Sequence, residues 1–320
     1  FITVASTELC FGFYLKFFIY LLIENLICVF PLCKKSFAGE IVLITGSANG
    51  IGRQIALKFA PLGVTLILWD IDDKGNKETC RLAQEKGANR VFVYHCDCSS
   101  REDVYEKADK VKKEVGDVTI LINNAGILIG KKFCDLSDED FEKTFKTNFF
   151  SQVWTCKAFL PAMMARNRGH LVSTASASGL LGLYRLTDYA ATKYAIIGMM
   201  EGISSELYHA GKCGIKTTII CPYFVNTKLS KGFQSAKPLL LPVFDPEYVA
   251  SKILNAIKKE KFYLIMPPTL RLLVLLILCE TDEETCVKIQ CLALVLCPLV
   301  QHISSENFFL IEELVVLDVL

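Results

Sequence analysis

The sequence predicts an α/β protein in which helices cover both faces of a doubly wound parallel sheet of seven strands. Short apolar runs alternate with longer periodic segments from Glu40 to Ile265, as they do in repeated strand–helix units. A glycine-rich turn follows the first run, and polar or small residues follow several later runs, at the sheet edge where open α/β proteins bind ligands. One such domain occupies most of the 320 residues.

Seven apolar runs are interpreted as strands because each is short and lies between turn-forming or helical segments. They are Ile41–Thr45, Val64–Trp69, Val91–His95, Val118–Ile122, Gly169–Ala175, Ile215–Cys221 and Phe262–Ile265.

Two of the helices between these strands show clear signals. In the first, Ile51, Ile55 and Phe59 recur every fourth residue, which is typical of an amphipathic helix. The fourth begins at a capping box formed by Ser137 and Asp140, and Phe141, Phe145 and Phe149 then follow on one stripe.

Apolar segments flank the central domain, so we divide the chain into an anchor segment (1–37), a catalytic domain (38–266) and an apolar and acidic tail (267–320). Leu9–Cys33 is long enough to span a bilayer, which needs roughly 20 residues. Its internal charges also suit a helix lying in the interface, and a cleaved signal peptide is a further alternative. The basic pair that follows favours a cytoplasmic location for the domain.

Two apolar runs lie in the tail, Leu272–Cys279 and Leu292–Leu296. Both are too short to cross a membrane, so we expect them to dip into it or to pack on the domain.

The composition excludes several classes of protein. Hydrophobic residues make up 52% and charged residues 22%, which excludes a disordered chain and favours membrane contact. The net charge of +1 argues against nucleic-acid binding. The 14 cysteines are scattered, and Cys96 and Cys98 are too close together for a zinc site, so we expect reduced thiols and no metal.

The segment from Thr45 to Gly52 contains three glycines and leads directly into a helix. Glycines allow a sharp turn that brings backbone N–H groups close to a pyrophosphate, and the positive end of the helix stabilises its charge. A purely structural turn is the alternative.

Asp70 ends the second strand, where a carboxylate binds both ribose hydroxyls and repels a 2′-phosphate, so it predicts NAD over NADP. Asp97 either accepts from the adenine amine or is a turn residue.

Tyr189 and Lys193 place a phenol and an ammonium on one helix face. The pairs Tyr208/Lys212 and Tyr248/Lys252 have the same spacing, and Ser176 and Ser235 each precede a tyrosine by 13 residues. Position favours Tyr189, because Ser176 ends a strand at the ligand-binding edge. Ser173 and Ser178 are rejected because they stand at other distances from Tyr189.

Five motifs in this order resemble the classical short-chain dehydrogenase/reductase family. They are Thr45-Gly46…Gly50-Ile51-Gly52, Asn123-Asn124-Ala125-Gly126, Asn148, Ser176 and Tyr189…Lys193. The resemblance covers about Ala38 to Met266 and implies a Rossmann-type sheet.

The resemblance implies a role for each matched residue. Tyr189 would be the general base of alcohol oxidation, and Lys193 would lower its pKa together with the cationic nicotinamide and would also hold the ribose. Ser176 would bind the substrate oxygen, and Asn148 would hold a water in the proton path. The implied cofactor-binding residues are Gly46, Ser47, Asn49, Gly50, Ile51, Gly52, Asp70, Asp97, Cys98, Asn124, Ala125, Gly126, Tyr189, Lys193, Pro222, Val225 and Thr227.

The family's nicotinamide-side loop matches Pro222–Thr227, with Tyr223 where glycine is common. We expect Leu229–Phe244 to form an apolar lid, which suits an apolar substrate. Leu180, Leu181, Leu183 and Tyr184 would add to the same wall or belong to the core.

Segments such as Leu68-Trp69-Asp70-Ile71 and Tyr94-His95-Cys96-Asp97-Cys98 resemble a membrane-associated branch of the family that acts on retinol or 17β-hydroxysteroids. This implies NAD-dependent oxidation of a lipophilic alcohol, first all-trans-retinol to all-trans-retinaldehyde, with a 17β-hydroxysteroid or a long-chain alcohol as the alternative. It also implies a location on the endoplasmic reticulum membrane or lipid droplets, with the domain facing the cytosol, and a homodimer through the helices carrying Asn148 and Tyr189. A catalytically idle lipid-binding protein is the alternative of another class.

Overall fold

The computed structural model describes residues 36–230, 242–268 and 270 and contains the predicted seven-stranded sheet. All neighbouring strands are parallel, in the order β3-β2-β1-β4-β5-β6-β7. The strands are β1 (Ile41–Thr45), β2 (Thr65–Asp70), β3 (Arg90–His95), β4 (Ile120–Asn123), β5 (Gly169–Thr174), β6 (Ile215–Pro222) and β7 (Tyr263–Met266). The predicted fold class is confirmed.

The fourth strand begins two residues later than predicted. Thr119 uses both its backbone and its hydroxyl at this point: its Oγ1 accepts from the Ile41 amide at 2.9 Å, and its own amide donates to the Ile41 carbonyl at 2.9 Å. The Thr119 hydroxyl thus accepts the bond that a backbone carbonyl accepts in a regular parallel ladder. Regular pairing between β1 and β4 therefore starts only at Ile120.

Seven α-helices are described, and the larger ones lie in two layers on the sheet. They are α1 (Gly50–Phe59), α2 (Asp73–Glu85), α3 (Arg101–Glu114), α4 (Asp138–Phe145), α5 (Ser151–Arg166), α6 (Thr187–His209) and α7 (Pro246–Lys258). Apolar residues of α1, α2 and α7 form one core with the sheet, and those of α3, α5 and α6 form the other. Since strand order reverses between β1 and β4, the crevice at their carboxyl ends is open to a ligand.

The predicted fourth helix is interrupted. Ser137 caps α4 by accepting from the Asp140 amide at 3.1 Å. The Asp140 carboxylate in turn bonds the Ser137 backbone as well as Lys131, the latter at 2.5 Å, so the expected capping box forms. Between α4 and α5, residues Lys146–Phe150 form a π-helical turn, which carries the fully buried Asn148. Such turns recur at functional sites because the wider turn redirects a side chain.

The predicted membrane segments lie almost wholly outside the described residues. Within the described part of the chain, no helix combines the length and the apolarity that crossing a bilayer requires.

Candidate active site

The glycine turn is packed so closely that side chains are excluded. A Cβ on Gly52 would lie 2.1 Å from the Gly46 carbonyl oxygen, and one on Gly46 would lie 2.8 Å from the Ala125 Cα. Gly46 and Gly50 also have positive φ angles, +68° and +54°, which favour glycine. The turn therefore touches the segment after β4.

This turn fits a diphosphate. Helix α1 begins at Gly50, its first turn contains no acidic residue, and Asn49 makes no side-chain cap. Its first backbone N–H groups are therefore free to bind an anion at the positive helix end.

Asp70 lies at the end of β2 in a fixed orientation. One carboxylate oxygen accepts from the Ala48 amide at 2.8 Å, and the other accepts from the Asp72 amide at 2.9 Å. Asp97 is fixed similarly by the Ser99 amide and hydroxyl at 2.9 and 2.6 Å. Both residues line the cleft, so Asp97 is at once a turn residue and a cleft residue.

The cleft consists of two adjoining cavities that share Ile51, Asn124, Gly126, Thr227 and Leu229. Of the predicted cofactor-binding residues, all but Ser47 and Gly52 line one or both. The Ser47 side chain is fully buried and faces away, with its hydroxyl bonded to Asn76 Oδ1 at 2.8 Å. Gly52 contributes only the absence of a side chain.

The segment after β4 is tied to the glycine turn. Asn124 Nδ2 donates to the carbonyl oxygens of Thr45 and Gly46 at 3.1 and 3.2 Å, and the Asn124 amide donates to Thr45 Oγ1 at 2.9 Å. These bonds hold the two strand ends together.

Tyr189 and Lys193 lie in the first two turns of α6 and line the cavity together with Ser176. Lys193 is 3% exposed, its Nζ lies 5.2 Å from the centre of the Tyr189 ring, and it donates to the Thr174 carbonyl oxygen at 2.8 Å. The Ser176 hydroxyl bonds Tyr189 and accepts from the Ser178 amide at 3.1 Å. Serine, phenol and ammonium thus meet at one end of the cleft.

The rejected candidates lie elsewhere or are directed elsewhere. Lys252 Nζ lies 5.0 Å from the Tyr248 ring centre, but this pair is on α7 and outside both cavities. Ser173 is fully buried within β5 and lines neither cavity. Ser178 lines the cavity, but its amide supports Ser176, and the bond to Tyr189 comes from Ser176.

Asn148 connects the catalytic helix to the segment after β4. Its Oδ1 accepts from the Ile127 amide at 2.7 Å, and its Nδ2 donates to the Ile127 carbonyl at 3.0 Å and to Thr192 Oγ1 at 3.3 Å. Asn148 lines neither cavity, so a role in holding a water stays a prediction.

Burial sets the ionisation of the pair. Desolvation raises the pKa of Tyr189 to about 12, against an opposing effect of the Ser176 hydrogen bond. Desolvation also lowers the pKa of Lys193 to about 8. Burial therefore dominates the ionisation of Tyr189 in the protein without cofactor, and the expectation that Lys193 and the cationic nicotinamide together lower its pKa stays a prediction for the complex.

The predicted substrate wall is only partly present. Leu183 lines the cavity, but Leu180 and Leu181 pack against the core and Tyr184 is 74% exposed. Of the expected lid, Leu229 lines the cleft, whereas residues 231–241 lie outside the described residues.

Sequence analysis missed three groups of the site, because no motif marks them: Leu128, Leu186 and the Thr174 carbonyl. Isolated leucines are more often core residues, and a backbone carbonyl leaves no mark in a sequence.

The comparisons with known proteins agree with this geometry. A family model described as short chain dehydrogenase matches residues 40–238. The chain is 51% identical to epidermal retinol dehydrogenase 2 of Homo sapiens over 83% of this chain and 86% of that protein. It is 42% identical to estradiol 17-beta-dehydrogenase 11 of Macaca fascicularis over 79% and 84%.

A solved structure gives the same result. A short-chain dehydrogenase/reductase from Burkholderia phymatum in complex with NAD matches with a TM-score of 0.70 and 27% identity, over 78% of this chain and 99% of that chain.

A dinucleotide cleft that ends at a serine, a phenol and an ammonium defines an oxidoreductase dependent on a nicotinamide cofactor. More narrowly, the chain belongs to the short-chain dehydrogenase family. The predictions of the family, of an alcohol dehydrogenase and of NAD as cofactor are confirmed.

We predict that Lys193→Met stabilises the protein at pH 7 while abolishing oxidation. The folded-state pKa of about 8 lies below the reference value of 10.5, so the buried charge lowers the free energy of unfolding below pH 8. This cost disappears as the pH rises from 8 to 10.5, because the folded chain loses its proton first. The shift corresponds to up to about 3 kcal/mol.

Urea unfolding at pH 7 and pH 10 measures this effect, with Lys252→Met as the matched control on α7. The variant's advantage over wild type should shrink at the higher pH, and the control should show none. An advantage that is absent at pH 7, or that grows with pH, would contradict the assignment.

Proposed function

We propose that the protein uses NAD to oxidise a lipophilic alcohol and that its substrate is all-trans-retinol. The observation that carries this proposal is the cavity itself, whose lining combines Ser176 and Tyr189 with apolar residues such as Leu128, Leu183 and Leu186. A few converging polar groups in an apolar pocket suit a molecule with one hydroxyl and a long hydrocarbon part. Relatives at 51% and 52% identity are named retinol dehydrogenases.

The residues divide the chemistry among them. Bound NAD supplies the hydride acceptor and a positive charge. Ser176 binds the alcohol oxygen, and Tyr189 Oη removes its proton. Because its own bond goes to the Thr174 carbonyl, Lys193 keeps its ammonium next to the phenol and favours the ionised phenol.

The oriented carboxylate of Asp70 supports NAD over NADP. Its two oxygens are fixed by amides of Ala48 and Asp72, so it cannot turn away from a phosphate on the ribose. A carboxylate repels a neighbouring phosphate of like charge, whereas a ribose diol can donate hydrogen bonds to it.

Membranes from cells that express the protein should convert all-trans-retinol to retinaldehyde faster with NAD than with NADP. The matched control is Tyr189→Phe, which keeps the ring but removes the proton acceptor, so we expect a loss of at least 100-fold, as is typical for general base catalysis.

Oxidation of estradiol but not retinol would favour the steroid alternative suggested by the 42% identical relatives. No oxidation above the Tyr189→Phe control, with lipid association retained, would favour the idle lipid-binding protein.

We also propose that the protein is held on the endoplasmic reticulum membrane or on lipid droplets, with the catalytic domain in the cytosol. The support is the apolar segment Leu9–Cys33 followed by Lys34 and Lys35. The full chain should stay in the membrane pellet at alkaline pH, and protease added to intact vesicles should digest the domain. Protection of the domain would contradict this orientation.

A homodimer through α6, which carries Tyr189, and through the helical segment that carries Asn148 is a further proposal. Phe150 and Tyr194 are 41% and 48% exposed, and Gly198 and Gly202 on the outer face of α6 leave open space. Glycines allow a second helix to approach closely, and large exposed apolar side chains mark interaction surfaces. Sedimentation of the solubilised protein should give twice the chain mass, whereas Tyr194→Lys should shift it toward the single chain. A single-chain mass for wild type would exclude the dimer.

A further inference from the structure

Tyr223 forms a wall of the cavity beside Ser176. It follows Pro222, the last residue of β6, and both line the cavity with Ser176 and Tyr189. The Ser176 Oγ lies 3.5 Å from the Pro222 carbonyl oxygen, so the serine and the end of β6 are direct neighbours. Tyr223, which comes directly after Pro222, is therefore a large residue lining the cavity near Ser176.

This wall is held rigidly. The Tyr223 amide donates to the Met266 carbonyl at 2.8 Å, which extends the β6–β7 pairing by one residue. Its ring packs edge-on against Phe224, with the ring centres 4.7 Å apart, and Phe224 is itself paired with Phe244 through its backbone carbonyl. Tyr223 has no positive φ angle, so it occupies this place without backbone strain.

A primary alcohol and a secondary alcohol differ at the carbon that bears the hydroxyl. One position on this carbon holds the hydrogen lost as hydride, and another holds the main chain of the substrate. The remaining position holds a hydrogen in a primary alcohol and a carbon group in a secondary alcohol. If Ser176 and Tyr189 bind the oxygen, that carbon would lie in the cavity that Tyr223 also lines.

We propose that Tyr223 determines specificity by excluding the second carbon group, so that the enzyme prefers primary alcohols over secondary ones. This inference rests on the proposed function and narrows it: it separates retinol, a primary alcohol, from 17β-hydroxysteroids, whose hydroxyl is on a ring carbon. A single misfitting methylene in a pocket changes catalytic efficiency by about 10–200-fold.

The test compares decan-1-ol with decan-2-ol, which differ only in the position of the hydroxyl, and uses the full chain in membranes with NAD. Wild type should favour decan-1-ol by at least about tenfold in kcat/KM. Tyr223→Ala should lower this ratio at least tenfold, mainly by a gain on decan-2-ol. Tyr223→Phe keeps the ring and should keep the ratio within twofold.

Tyr105→Ala removes a tyrosine on α3 that is 37% exposed and lies outside both cavities, so it should leave the ratio unchanged. If Tyr223→Ala does not fold, Tyr223→Leu decides by the same ratio. A ratio that stays within twofold of wild type in the smaller variant, or a wild type without preference, overturns the proposal.

All-trans-retinol and 17β-estradiol form a second pair with the same difference. If retinol is not oxidised but the decanol ratio changes in the Tyr223 variants, retinol is refuted as the substrate and the role of Tyr223 in specificity is supported. If retinol is oxidised but the decanol ratio does not change in the Tyr223 variants, only the role of Tyr223 in specificity is refuted. If no alcohol is oxidised, the proposed function and this inference fall together.

Discussion

The buried ammonium of Lys193 is the interaction on which the rest of the site depends. Lys193 is only 3% exposed, and burying its charge lowers the free energy of unfolding. A hydrogen bond from the ammonium to the Thr174 carbonyl oxygen holds the side chain in place. The same burial that destabilises this charge raises the phenol pKa of Tyr189. In the protein without cofactor the two groups are therefore both shifted toward their neutral forms. Under the proposed function, the positive charge of bound NAD would favour the ionised phenol, so that Tyr189 would act as a base in the complex.

Strand order and close packing contacts fix the positions of these groups. Reversal of strand order between β1 and β4 opens the crevice, and close contact between Gly46 and Ala125 fixes its floor. The π-helical turn directs Asn148 to Ile127 and to Thr192, which ties α6 to the segment after β4. Tyr189 also lies on α6, so the hydrogen bonds of the Asn148 side chain help to set the position of the phenol relative to the cleft.

Much of this could be predicted because its signals are local. Strand–helix alternation gave the sheet, and the glycines, Asp70, Ser176 and the Tyr189–Lys193 spacing gave the cleft. Other features depend on tertiary packing. Ser47 stands within the glycine motif, yet its hydroxyl bonds Asn76, 29 residues away. The interruption of the fourth helix by a π turn has no composition signal, and the raised phenol pKa follows from burial, which a spacing rule does not contain.

The most direct test of the account is a spectroscopic titration of Tyr189. Tyrosinate absorbance of the wild type minus that of Tyr189→Phe isolates this phenol, and the titration is run with and without saturating NAD⁺. The account predicts an apparent pKa near 12 for the free protein and a substantially lower one in the complex. The same pKa in both states would contradict it, because the charge of the cofactor would then have no effect on the base.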